Sequence, residues 1–281
     1  MKKINVKILF LGLVITASII TLNSCTEKMQ SNNSFSDMEL RNTVNNNNQP
    51  FDMCSCIESN FPVEELSDIE IAGLNQMREE EKLARDVYLT LFTSWNQKVF
   101  DNISKAEQRH MDAILCLLNK YDIPDPVENN DIGVFTDDDI QSLYNTLIEQ
   151  GNQSLVSALT VGAIIEDLDI YDLIEISGKI DNQDILAVFN ELTKGSRNHM
   201  RAFVSQLSLQ NESYSPQYIT TDLFNSIINS GMERGGSICN NSGNSNNGNK
   251  GHKGQNGNGT CDGNRNGNNN NGNGNGGNGN G

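Results

Sequence analysis

Four stretches of this chain carry inward-type residues every three or four positions over several turns. That period commits the region to long helices packed side by side. The first runs Leu74, Met77, Glu81, Ala84, Tyr88, Leu91, and the second Ile103, Glu107, His110, Ile114, Leu117, Tyr121. The third runs Leu155, Leu159, Gly162, Glu166, Asp169, Leu173, Ile176, and the fourth Ile185, Val188, Leu192, Ser196, His199, Phe203. No strand-like alternation of useful length interrupts them. The second helix is expected to open near Asp101 or Asn102 and to end before IPDP at 123–126. The fourth should start near Asp181 or Asn182 and fray near Asn211. An extra short helix is expected over about 136–150, with Thr136 as its cap and Gly151 as its stop. The fold class is therefore all-α, a four-helix bundle with one extra short helix.

The seams are unusual in what breaks them. Glu81, Glu107 and Glu166 fall inward on three helices at similar depth, and two of the three histidines, His110 and His199, fall inward on different helices. Ionised carboxylates left alone in a helical core cost several kcal/mol each, so something positive must sit among them. A pair of divalent metal ions meets that need. Glu107-x-x-His110 aims two donors from one helix face, and three acids with two imidazoles suit iron, or manganese. Bridging carboxylates hold two such ions roughly 3.5–4 Å apart. Glu79 and Glu80 read as solvent-facing, and Arg85, Arg109, Arg197 and Arg201 as mostly solvated, though each lies within a turn of a proposed ligand. No Ser/His/Asp set and no phosphate-cradling glycine loop accompanies them.

The flanks are different in kind. Most of the 24 glycines lie in an Asn/Gly/Ser tail over 237–281 that lacks aromatic residues, and such a tail is expected to be disordered. At the other end, residues 1–24 read basic, then apolar, then small, and Leu22-Asn23-Ser24-Cys25 resembles a bacterial lipoprotein signal with Cys25 as the lipid attachment site. The alternative is a plain signal peptide or an uncleaved anchor. Either way the domain, residues 61–236, is expected in the cell envelope, periplasmic or on the outer surface, held off the membrane by a flexible tether over 25–60. The net charge is −16, so nucleic acid is not an expected partner and metal cations are. Cys54, Cys56, Cys239 and Cys261 fit no zinc pattern. A linker-to-tail bridge and unpaired or locally paired thiols both stand, and Cys116 reads as a small buried apolar residue.

The segments REEEKLARDVY at 78–88, NISKAEQRHM at 102–111, VGAIIEDLDIYDL at 161–173 and GSRNHMRAF at 195–203 closely resemble an uncharacterised group of bacterial and archaeal ferritin-like proteins, a domain of unknown function. The likeness covers about residues 63–236, with YSPQYI and GMERGG near its end. More widely the chain is similar to rubrerythrin-type di-iron bundles. That resemblance implies Glu81 with Ala84 and Tyr88 from the first helix, bridging Glu107 with His110 from the second, Glu166 and Asp169 from the third, and His199 from the fourth. Ser196 stands where the fourth helix should supply a second bridging Glu. Three outcomes follow: Asp169 compensates, the second ion binds weakly, or one ion is held. Tyr88 and Ser196 are expected just behind the ligands. If the centre is catalytic, the resemblance implies redox chemistry toward peroxide, dioxygen or Fe²⁺. No rubredoxin-like cysteine quartet is present, so the electron donor is external and unidentified. The competing expectation is a non-catalytic module with a depleted metal site.

Overall fold

Helix ends are set by local chemistry. Ser67 and Glu70 form a capping box, Glu70 N–H donating to Ser67 Oγ at 3.3 Å and Ser67 N–H to Glu70 Oε2 at 2.8 Å, and they open a 28-residue helix. Asn96 in the left-handed region (φ 49°) ends that helix and turns the chain directly into the next. In the computed structural model, which describes residues 53–235, the helices are α1 (Met53–Asn60), α2 (Asp68–Trp95), α3 (Lys98–Lys120), α4 (Asp138–Gly151), α5 (Leu155–Ser177), α6 (Gln183–Leu209) and α7 (Thr221–Ile228). The described residues contain no strand, and none of their helices is long and apolar enough to cross a membrane. The expected signal over 1–24, Cys25, the tether before residue 53 and the tail over 237–281 lie outside the described residues.

The period-based boundaries of the long helices agree to within a few residues. α3 begins at Lys98, ahead of Asp101, and the cap of α4 is Asp137, whose side chain accepts from Asp139 N–H and Ile140 N–H, one residue after the expected Thr136. α2 packs along α3 and α5 along α6, and the pairs meet through α2 with α5 and α3 with α6. All six seam residues of α2 are buried, as are the inner positions of the other three seams, and only the end residues Tyr121 and Leu155 are half-exposed. The apolar core falls into two clusters. One holds Tyr88, Phe100 and Phe203, and the other Leu74, Met77, Ile114, Leu117 and Leu192. A charged layer of α2, α3, α5 and α6 residues lies between them in sequence register. Gly162 is required beside the first of the two clusters, because a Cβ there would collide with the Phe203 ring.

Two helices were not expected. α1 falls inside the stretch assigned to the tether, and the Cys54–Cys116 disulfide, with Cα atoms 5.1 Å apart, ties it to α3. Cys116 is buried, as its reading as a small apolar residue expects, but it is also half of a bridge. Cys56 is disulfide-bonded too. α7 follows a segment fastened to α5 by Asp167, which accepts hydrogen bonds from Tyr214 Oη (2.7 Å) and from the backbone N–H groups of Gln217, Tyr218 (3.2 Å) and Ile219 (2.9 Å). The connection between α3 and α4 is clamped to α2 in the same manner. Arg78 pairs with Asp125 at 2.8 Å, and the Lys82 ammonium donates to Asp86 (2.6 Å) and to the carbonyls of Asp131 and Val134 (both 3.0 Å).

Candidate metal centre

An i, i+3 spacing on α3 puts Glu107 and His110 on one face, and that face meets Glu81 of α2, Glu166 of α5 and His199 of α6. All five side chains are buried. His110 Nδ1 lies 2.8 Å from Glu107 Oε2 and 3.1 Å from Glu81 Oε2. His199 Nδ1 lies 2.9 Å from Glu107 Oε1 and 3.3 Å from Glu166 Oε2. The two imidazoles stack, their centroids 5.6 Å apart. The result is two triplets, Glu81–Glu107–His110 and Glu107–Glu166–His199, each with one ligand atom per residue and all those atoms within 4.8 Å of one another. Glu107 belongs to both, one oxygen turned to each.

Behind the triplets, the Tyr88 hydroxyl donates to Glu166 Oε1 at 2.5 Å and its ring packs on Phe203, with centroids 5.3 Å apart. Ser196, buried three residues before His199 on α6, donates its hydroxyl to the Leu192 carbonyl at 3.2 Å. Asp169 is buried one turn from Glu166 but belongs to neither triplet. Glu80 is also buried, which corrects its reading as solvent-facing: α5 covers the α2 face beside the seam. The arginines serve the scaffold. Arg85 holds Asp86 and Gln108, while Arg197 and Arg201 both hold Glu233.

The donor set fits divalent ions. Glu81 Oε1 is buried without a hydrogen-bond partner among the described residues, and two imidazoles with three carboxylates, one of them shared, make a mixed nitrogen and oxygen set. On the protein's own charges, burial pushes the Glu81 carboxyl up to about 8 against the pull of His110, and pushes Glu166 up to about 7 against His199. Burial works on Glu107 in the same direction, but His199 and His110 outweigh it and hold that carboxyl far below the usual range. Burial disfavours the charged form of His110, yet Glu81 and Glu107 overcome it and carry the imidazole up to about 10.

These shifts fix a pH dependence. Glu81, Glu166 and His110 are raised in the fold, so their contribution to stability is present at low pH and is lost as pH climbs through the folded values of about 8, 7 and 10. The depressed Glu107 acts oppositely, but only at acid pH, below this window. Metal binding needs the same protons to leave. The metal-free chain should therefore lose thermal midpoint from about pH 6 to about pH 9, while the gain on adding Mn²⁺ widens over that window. Calorimetry with and without the ion checks this. A gain that shrinks with rising pH contradicts the assignment.

Residues 70–231 match the family described as an uncharacterized protein domain, DUF2202, and the chain belongs to that family. It is 54% identical over 177 residues to the uncharacterized protein MJ0754 of Methanocaldococcus jannaschii, a match that spans 63% of this chain and 96% of that protein. The crystal structure of hypothetical protein MJ0754 from Methanococcus jannaschii superimposes with a TM-score of 0.61 at 53% identity, covering 62% of this chain and 99% of that one.

Proposed function

We propose that this protein is a ferritin-like four-helix bundle, anchored by lipid on Cys25 outside the cytoplasm, that binds a dinuclear iron-type centre through Glu81, Glu107, His110, Glu166 and His199. The observation that carries the reading is Glu107, whose two oxygens face two separate triplets that each end in an imidazole. A carboxylate so shared is the arrangement that holds two ions at bridging distance. The Cys54–Cys116 disulfide supports an oxidising compartment.

Bound iron would supply one-electron redox chemistry toward peroxide, dioxygen or further Fe²⁺. The chain's own residues do the rest. Glu107 would hold both positions in register, Tyr88 fixes one Glu166 oxygen by its hydrogen bond, and the apolar clusters on either side limit water. Anaerobic loading of the purified full chain with Fe²⁺, followed by dioxygen or peroxide, tests the redox part. A near-ultraviolet band of an oxo-bridged ferric pair is the expected result, and iron that stays ferrous would overturn it.

One observation favours a second reading, a module whose depleted site serves stability alone. Ser196, at the position where the rubrerythrin resemblance would imply a second bridging Glu, satisfies its own hydroxyl within α6. Ser196→Glu should then add a ligand from that position and tighten the weaker ion about tenfold or more. Isothermal titration with Mn²⁺ measures it, and unchanged affinity for both ions would count against Ser196 facing the centre.

A further inference from the structure

Two buried acids beside the centre have no role in either triplet, and both lie where α2 faces α5. Glu80 accepts from Gln76 at 2.9 Å through Oε1, and its carboxyl also hydrogen-bonds to the side chain of Asp172 on α5. Asp169 Oδ2 has no hydrogen-bond partner among the described residues. Glu80 is 6% exposed and Asp169 2%. A buried carboxyl oxygen without a partner is costly, so Asp169, lying next to a Glu80–Asp172 carboxyl pair on the same interface, has room for a cation.

Their neighbours order them into a row. The charged groups that bear most on Glu80, after burial itself, are Asp172 and then Glu81. Those that bear on Asp169 are Glu81, Glu166, Glu80 and Glu107. Asp172 is half-exposed on α5, one turn beyond Asp169. Ranked by exposure, the carboxyls go from half-exposed Asp172 of α5 through Glu80 of α2 and Asp169 of α5 to fully buried Glu81 of α2, with Asp172 hydrogen-bonded to Glu80. Basic side chains leave this row open. Arg78, Lys82 and Arg85 on α2 are committed to Asp125 and Asp86, and Lys179, which bears on Asp172, is an exposed partner of Glu175 at 3.2 Å.

We propose that Asp172, Glu80 and Asp169 form the entry route by which a divalent cation reaches the centre, passing from carboxyl to carboxyl between α2 and α5. The inference rests on the metal-centre reading. A hard divalent ion sheds water reluctantly, and a row of oxygen donors replaces that water stepwise. Asp169 then acts as the last station before Glu81 and Glu166, which accounts for its burial outside both triplets.

The test separates rate from capacity. Metal-free full chain is mixed with Co²⁺ by stopped flow, uptake is followed by the ligand-field absorption, and the final count is taken by elemental analysis after gel filtration. E80Q and D172N, each near-isosteric, should take up Co²⁺ about tenfold more slowly while reaching the wild-type count with an unchanged metal-free thermal midpoint. Wild-type rates in both variants would overturn the route. A lower final count in E80Q would also overturn it, by making Glu80 a ligand of the centre. A wild-type chain that takes up no Co²⁺ would instead refute the metal centre itself, and the route with it.

Discussion

Glu107→Ala is expected to empty both metal positions at once, lowering affinity for the ions at least about 100-fold. The reason is geometric: Glu107 Oε2 serves the triplet of His110 and Oε1 that of His199, so a single truncation removes a ligand from each. Glu81 and Glu166 each belong to one triplet only, and Glu81→Ala should cost one ion and spare the other. That contrast distinguishes a shared bridge from two independent sites. Elemental analysis of the three proteins, with circular dichroism to show that the helices persist, is the measurement. Equal losses in Glu107→Ala and Glu81→Ala would remove Glu107 from its bridging role.

The largest expected effect on stability lies away from the centre, at Asp86. Lys82 is only 1% exposed, and its ammonium depends on Asp86 at 2.6 Å, while Arg85 meets the other Asp86 oxygen at 2.7 Å and Gly133 N–H donates to Asp86 at 3.0 Å. Asp86→Ala strands a buried ammonium and frees the connection between α3 and α4. Removing one partner of a buried pair costs about 3–5 kcal/mol, which for a domain of this size lowers the thermal midpoint by about 10 °C. Chemical denaturation measures the loss. Glu175→Ala, which breaks an exposed pair with Lys179, serves as the control with little change. A loss at Asp86 no larger than the control's would show that Lys82 finds other partners.

The helical period made the seams legible, and with them the five residues of the triplets. A Glu or His at a position otherwise filled by Leu is conspicuous once the spacing is drawn, and every inner seam position of α2, from Leu74 to Leu91, is buried. The period says little about what covers a helix on its other sides. Lys82, Arg85, Asp86 and Glu80 look solvent-facing in sequence because they are charged, yet the connection between α3 and α4 covers the first three and α5 covers Glu80. Nothing in the sequence marks Asp167 as buried, because its backbone partners are N–H groups some fifty residues on, which carry no sequence signal. α1 escaped for a related reason. Its eight residues offer one buried apolar side chain, Ile57, and it is fastened by a disulfide to a cysteine 62 residues away.

The central claim is that one buried carboxylate organises two metal positions, and the direct test is the number of ions bound per chain. The full chain, purified without chelator and titrated anaerobically with Fe²⁺ or Mn²⁺, should saturate at two ions per chain. Saturation at one ion, or none, with His110→Ala and His199→Ala indistinguishable from wild type, would contradict it.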